Sequence, residues 1–394
     1  MTHIGIDIEQ FVRDPYGSGI QRVLQQLAMQ WPTDLSAADF VAPVGEQTNQ
    51  FVLLTPEQAA ELLSLSFQSR DAGQVRNQVN TLVEDYARSA PVVDLGRLLA
   101  LYSHWLLPEV SYLPPVLQRF ELFQRVMPAA MIGYDALPMT EPSNYRFAPG
   151  AASSVSEYFR LLATADSVIC ISDYARDSIL DRLRRDRSLP ISVAHPGGDH
   201  IPGPVAPHAS SAKPALDQAP VRMLRVGTLE ARKYPLEILA AFEEARDQGA
   251  NIELVFIGSP SASDRQINDR IATAVETGTG ITWITGADDA QVIEELHRAD
   301  VFLSIGTEGF GIPVLESIVL GTPVAYAGIQ PAGDIMEGRG AHRLDGLQPE
   351  ELSRSFTRLA DHSYVERIRQ EIDADSIPQW RDFARGVCAG VLSA

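Results

Sequence analysis

The chain has 394 residues, more than one hydrophobic core usually organises, so two domains are expected. Hydrophobic residues make up 45%, but no apolar run approaches the roughly 18 residues a membrane-spanning helix needs, so such a helix is excluded. A formal charge of −19 argues against general affinity for nucleic acid or anionic lipid, and two cysteines, Cys170 and Cys388, cannot build a disulfide framework and read as cytoplasmic thiols.

No basic region precedes an apolar one at the N-terminus, so no signal peptide is read there. Residues 3–8 alternate as a first strand. Tyr16-Gly17-Ser18-Gly19-Ile20 follows as a glycine turn feeding a helix, with Val23, Leu24, Leu27 and Trp31 at helical spacing. Such a turn lets backbone approach a phosphate or an acceptor; its plain alternative is a flexible left-handed turn. Residues 51–54 read as a strand, and 56–66 and 73–88 as helices. The stretch 95–127 is unusually apolar and aromatic, and Pro108, Pro114 and Pro115 prevent one helix from spanning it. It is either core, packed as a hairpin of helices, or an exposed surface that receives a lipid-linked or hydrophobic acceptor.

Residues 129–134 form an apolar run expected to be a buried parallel strand, ending in Asp135-Ala136-Leu137-Pro138. Asp135 either caps the next turn or serves a site. Residues 167–171 are a strand followed by a helix with Ser172 as its N-cap. Arg182, Arg184, Arg185 and Arg187 crowd the end of that helix, and a solvated terminus complementing the helix dipole explains them better than a lipid contact. A strand at 191–194 leads into His195-Pro196-Gly197-Gly198-Asp199. From 201 to 220 the chain turns to Pro, Ala and Ser, a linker composition that marks the domain boundary.

The second half alternates. Strands are expected at 222–227, 252–257, 281–284, 301–305 and 323–327, and helices at 235–248, 264–276, 289–299, 313–320 and 349–360. That order implies a parallel sheet with helices on both faces. Gly227 opens the turn after the first strand, which carries Glu230-Ala231-Arg232-Lys233. Two adjacent cations at the carboxyl end of a strand suit a diphosphate leaving group, and arginine can grip it bidentately. The strand from 301 runs into Glu308-Gly309-Phe310-Gly311-Ile312-Pro313-Val314-Leu315-Glu316. Pro313 falls at the first helical position, Glu316 in the first turn, and Gly321 at the stop. Gly309 and Gly311 permit close approach of a ligand, and the helix start offers N–H groups to an anion. Two carboxylates beside an anion site suit a ligand with both phosphates and hydroxyls. Asp373-Ala374-Asp375 has the look of a metal-binding pair but lies near the chain end, away from the βα loops, so no metal site is assigned.

The Glu308–Glu316 segment, with Gly321-Thr322-Pro323-Val324 after it, resembles the Glu-x7-Glu signature of retaining GT-B glycosyltransferases. That is the group 1, or family 4, type that includes mannosyl- and rhamnosyltransferases. Glu230-Ala231-Arg232-Lys233 is similar to the Glu-x-Arg-Lys of this family, the Gly17–Gly19 turn with Arg22 to its Gly-x-Gly loop, and Trp380 to its last helix. Tyr134-Asp135 departs from its His-Asp pair. The resemblance implies an α/β fold of two doubly wound Rossmann-like domains facing a cleft, 1–200 on the acceptor side and 221–376 on the nucleotide-sugar side. Residues 377–394 would cross back to the first domain. It also implies transfer of a sugar, mannose or rhamnose by analogy, from a GDP-, UDP- or dTDP-sugar to a hydroxyl of a glycan or lipid-linked acceptor in surface polysaccharide assembly, without metal or other cofactor, in the cytoplasm or at the inner face of the membrane. Glu308 would hold the sugar and Glu316 the ribose. Arg232, Lys233 and the N–H groups of Phe310 and Gly311 would hold the diphosphate. Gly19, Gly227 and Gly309 would line the donor, and Asp135 would serve catalysis. A nucleotide-sugar 2-epimerase and a non-catalytic nucleotide-sugar-binding module remain as alternatives.

Overall fold

A computed structural model describes residues 2–45, 49–68, 71–142, 145, 151–201, 219–278 and 280–394. Most of the expected linker, 202–218, lies outside the described residues. The chain divides into two compact units. One comprises Met1–Thr140, Phe147–Gly197 and Pro378–Ala394; the other comprises Glu141–Arg146 and Gly198–Ile377.

The first unit is built on β1 (His3–Asp7), β2 (Ala37–Pro43), β3 (Gln50–Leu54), β4 (Val92–Asp94), β5 (His104–Leu107), β6 (Ala129–Gly133), β7 (Ser167–Cys170) and β8 (Ile191–Val193). They form one sheet in the order β4-β3-β2-β1-β5-β6-β7-β8. Pairing is parallel from β2 through β8, and β3 and β4 extend that edge antiparallel. Strand β6 is buried along its whole length, as a central strand covered by helices on both faces must be. Ser172 caps its helix as expected, its Oγ accepting from the Ala175 N–H at 3.0 Å.

Most of the apolar stretch 95–127 packs into the core, with Leu122 and Val126 left exposed. It folds as a helix (Leu95–Leu101), β5, and a second helix (Pro114–Gln124), so a strand lies where a helical hairpin was expected. Leu98, Trp105, Leu106, Phe120 and Phe123 are buried, and the Trp105 and Phe123 rings meet edge to face at 4.4 Å. The basic run after Ser172 also differs from expectation. Arg185 is not solvated: it is buried and donates to the carbonyls of Leu162, Ala163 and Pro190.

The C-terminal helix, Trp380–Leu392, belongs to this first unit although 180 residues of the other unit precede it. Trp380, Phe383, Val387 and Val391 are buried, Ile169 of β7 fills the space where a Cβ on Gly390 would be, and Arg385 pairs with Asp34 at 2.9 Å.

The second unit carries β9 (Val221–Val226), β10 (Ile252–Ile257), β11 (Ile281–Ile284), β12 (Val301–Thr307), β13 (Val324–Ile329) and β14 (Ala341–Arg343). Their order is β11-β10-β9-β12-β13-β14, every pairing parallel. Helices Pro235–Asp247 and Pro349–Leu359 contribute Phe242 and Phe356 to a core that also holds Phe256 of β10 and Ile305 of β12. Strand order reverses between β9 and β12. In open parallel sheets the crevice at the carboxyl ends of two such strands is where ligands bind.

Candidate functional site

The segments leaving β9 and β12 at that reversal carry the charged residues singled out in the sequence. Past β9, Ala231–Lys233 makes a 3-10 turn, and Tyr234 takes a left-handed conformation (φ 54°) to start the next helix. The turn brings Arg232 and Lys233 to Glu308, the first residue beyond β12. Arg232 Nη1 lies 3.0 Å from Glu308 Oε2 and Lys233 Nζ lies 3.0 Å from Oε1, so one carboxylate joins both cations. Arg232 also donates to the Thr307 carbonyl at 2.6 Å and pairs with Glu230 at 2.8 Å. Tyr145, which packs with this unit, adds to the field on Arg232.

Two features allow this packing, and neither was read from the sequence. Gly306 in β12 has φ 118°, and a Cβ there would stand 2.2 Å from the Arg232 carbonyl oxygen. Only glycine lets the cationic turn lie against the strand. Gln330, fully buried, then pins the end of β12: it accepts from Ser304 Oγ at 2.8 Å and donates to the Gly306 carbonyl at 3.1 Å.

A third cation, Arg225 of β9, was also missed. It is 5% exposed, its Nη1 donates to the Val226 carbonyl, and it faces Lys233 across Gly227, where a Cβ would meet both side chains at 3.0–3.2 Å. Alternation in Val-Arg-Met-Leu-Arg-Val reads as a half-exposed strand. The signal that was available is that a strand central to a parallel sheet has no solvated face. Three cations against Glu230 and Glu308 leave one positive charge in excess, in a place where Arg232 and Lys233 are only 14% and 13% exposed.

The titration behaviour follows from that crowding. Burial alone would raise the Glu308 carboxyl, but Lys233, Arg232 and Arg225 outweigh it and hold it at about 2. Burial lowers the Lys233 ammonium, with Arg232 and Arg225 pushing the same way and Glu308 opposing. Burial likewise brings Arg225 down to about 10. For Arg232 burial works downward, and Glu308 and Glu230 reverse it. A carboxyl held this low neither donates nor accepts a proton near neutral pH, so Glu308 is a fixed anion.

The rest of the β12 segment departs slightly from expectation. The helix spans Ile312–Val319 with left-handed Gly311 (φ 101°) as N-cap, and no side chain caps it. Pro313 is therefore the second helical residue, and Glu316 is the fifth, beyond the first turn. Glu316 meets His200 Nε2 at 2.9 Å. Phe310 is buried, and its carbonyl accepts from the Ala332 N–H at 2.9 Å, which holds the glycine loop down. Arg232, Lys233, Glu308, Gly227, Gly309, Phe310, Gly311 and Glu316 thus lie together in the second unit.

Gly19 and Asp135 lie in the other unit. Gly19 opens the helix Gly19–Met29, capped by Ser18, whose Oγ accepts from the Gln21 N–H at 3.2 Å; a Cβ on Gly19 would meet nothing within 4 Å among the described residues. Asp135 accepts from the Leu137 N–H at 2.9 Å, the turn-capping alternative, and Tyr134 donates to the Pro108 carbonyl at 2.8 Å. Glu109, at the carboxyl end of β5, escaped the sequence reading. It is 2% exposed, burial raises its carboxyl to about 8, and its Oε2 has no hydrogen-bond partner among the described residues.

Residues 208–360 match the family model described as glycosyl transferases group 1. Over 244 residues, 58% of this chain, the sequence is 25% identical to the serotype-specific mannosyltransferase WbdA of Escherichia coli; the chain spans 29% of that relative's length. Among solved structures, Alr3699/HepE of Anabaena in complex with UDP-glucose superposes over 100% of both chains, with a TM-score of 0.64 at 13% identity. Sucrose-phosphate synthase of Thermosynechococcus elongatus covers 98% of this chain and 97% of its own, with a TM-score of 0.63 at 14% identity. At such identities these likenesses establish the fold, the paired Rossmann-like sheets of the GT-B type.

Proposed function

We propose that this chain, which carries a group 1 glycosyltransferase domain on a GT-B fold, moves a sugar from a nucleoside-diphosphate donor to an acceptor hydroxyl with retention at the anomeric carbon. The observation that carries the reading is the buried cluster at the β9–β12 reversal, where Arg225, Arg232 and Lys233 outnumber their carboxylates. Such a site is incomplete without an anion.

Breaking the anomeric C–O bond sends its electron pair to the diphosphate and leaves oxocarbenium character on the sugar. Arg232 and Lys233, held in place by Glu308, supply preorganised charge for the leaving oxygen, with Arg225 adding its field from behind. The N–H groups at Phe310 and Gly311 add dipoles at a helix start. Because Glu308 stays ionised, its remaining capacity is to accept from sugar hydroxyls, not to carry a proton. The acceptor proton then goes to the departing phosphate oxygen on the same face, which accounts for retention without a covalent intermediate. Glu316 accepts from the ribose. With this much cationic charge in place, a divalent metal is not needed. Mannose is the sugar suggested by the WbdA relative, and the acceptor in this reading is a hydroxyl of a glycan or lipid-linked glycan in surface polysaccharide assembly.

The test is product formation. The protein is incubated with GDP-mannose, UDP-glucose and dTDP-rhamnose in EDTA, with and without a mannoside acceptor, and the new anomeric centre is assigned by NMR. Acceptor-dependent release of nucleoside diphosphate with a retained anomeric configuration supports the reading. Interconversion of the donor without acceptor would identify an isomerase instead, and tight nucleotide binding with no turnover a binding module.

A further inference from the structure

The segment Gly198-Asp199-His200 has no part in the mechanism above, yet it is built tightly against the helix that carries Glu316. A Cβ on Gly198 would stand 2.8 Å from Leu315 Cβ and 2.8 Å from Ile377 Cγ2, so only glycine lets the backbone pass so close to Ile312–Val319. Two residues on, His200 is delivered to Glu316. Its Nε2 lies 2.9 Å from Oε1, and the two side chains are 5% and 17% exposed. A carboxylate can only accept, so Nε2 carries the proton in this pair. One carboxylate oxygen is thereby fixed from the protein side, while the side chain retains its small exposed fraction for a ligand.

The geometry points to His200 as a positioning residue for Glu316: its ring fixes the carboxylate rotamer that accepts the ribose hydroxyls of the nucleotide. Glutamate is rotamer-rich, and ordering its side chain on ligand binding carries an entropic cost that a preformed hydrogen bond removes in advance. The assignment rests on the proposed role of Glu316 at the ribose, and it adds a residue that makes no contact with the nucleotide itself.

The experiment measures, by calorimetry, the affinity ratio between a ribonucleoside diphosphate and its 2′,3′-dideoxy analogue. It compares the unaltered protein with Glu316→Ala, His200→Ala, His200→Gln and the double alanine variant. The unaltered protein should prefer the ribonucleotide by about tenfold or more, the size of a charge-assisted hydrogen bond. His200→Ala should reduce that ratio towards the value of Glu316→Ala, and the double variant should lose nothing further. His200→Gln should restore the ratio, since the Gln Nε2 sits at about the same reach as the imidazole Nε2 and also donates. An unchanged ratio in His200→Ala, with only a lower melting temperature, would overturn the assignment and leave a packing role. A glutamine variant that behaves like the alanine one would overturn the hydrogen bond as the cause. No discrimination in the unaltered protein removes Glu316 from the ribose and the inference with it. No binding of any nucleotide overturns the transferase reading itself.

Discussion

Glu308 is the residue on which the cluster turns. It pairs with both Arg232 and Lys233, and its removal would leave three neighbouring cations facing one carboxylate. Glu308→Gln should destabilise the fold by on the order of 3 kcal/mol, the cost of stranding partly buried charge, read from urea midpoints. The same variant should bind free nucleoside diphosphate at least as tightly while losing turnover, because the positive excess grows as the sugar contact is lost. Arg232→Ala and Lys233→Ala should act the other way, weakening nucleotide binding and lowering kcat by about 10²–10³-fold each. Lys233 sets the pH dependence. Its ammonium titrates below the ordinary lysine value, and a bound diphosphate favours the charged form, so nucleotide affinity should fall as pH rises through the Lys233 pKa. An affinity that stays flat throughout the alkaline range in which an ordinary lysine remains charged would contradict this. At this scale the sequence showed what lies close along the chain. Arg232, Lys233, Glu308 and Glu316 were legible from short motifs; the His200–Glu316 pair, 116 residues apart, was not.

Among elements, legibility followed length and apolar continuity. Strands β6, β9, β10 and β12 carry apolar runs bounded by turn residues, and each was read within a few residues of its observed limits. Strand β2 escaped, because Ala-Ala-Asp-Phe-Val-Ala-Pro has no such run. Strand β5 escaped too, because its four residues, His-Trp-Leu-Leu, lie between two leucine-containing helices and look like more of the same. Strands β4 and β14 are three residues each, too short to show a period. The glycines divide in a similar way. Gly306 sits inside a strand, where a glycine signals close backbone approach, and Gly306→Ala should cost about 2–4 kcal/mol and displace the Ala231–Lys233 turn. Gly19→Ala should leave stability within about 0.5–1 kcal/mol of the unaltered protein, because nothing occupies the space and a helix favours alanine. If ligand backbone approaches there, transfer activity should fall all the same. Melting temperatures and initial rates on the two variants separate the cases.

For the whole molecule, two buried carboxyls in different units oppose each other in their response to pH. Glu308 is held at about 2 against an ordinary 4.5, so its contribution is present above 4.5 and lost as pH falls toward 2. Glu109 is raised to about 8 against an ordinary 4.5, so the folded state keeps a proton that the unfolded chain releases, and stability declines as pH rises from 4.5 to 8. Glu109→Gln should flatten that decline, measured as urea midpoints between pH 5 and 9; an unchanged slope would contradict the buried, protonated carboxyl. The Pro- and Ala-rich break expected to divide the chain lies mostly outside the described residues, and the two units part just before it, between Gly197 and Gly198. The return of Trp380–Leu392 to the first unit was carried only by the family resemblance, since nothing in an amphipathic helix names the sheet it covers. In the proposed function, the β9–β12 reversal holds a nucleoside diphosphate on Arg232 and Lys233. The most direct test of this is calorimetric titration of GDP, UDP, dTDP and ADP, in EDTA, into the unaltered protein, Arg232→Ala and Lys233→Ala. Binding should be selective for one base, indifferent to EDTA, and weakened about tenfold or more in both variants. Binding that ignores both substitutions, or no binding by a well-folded sample, would contradict it.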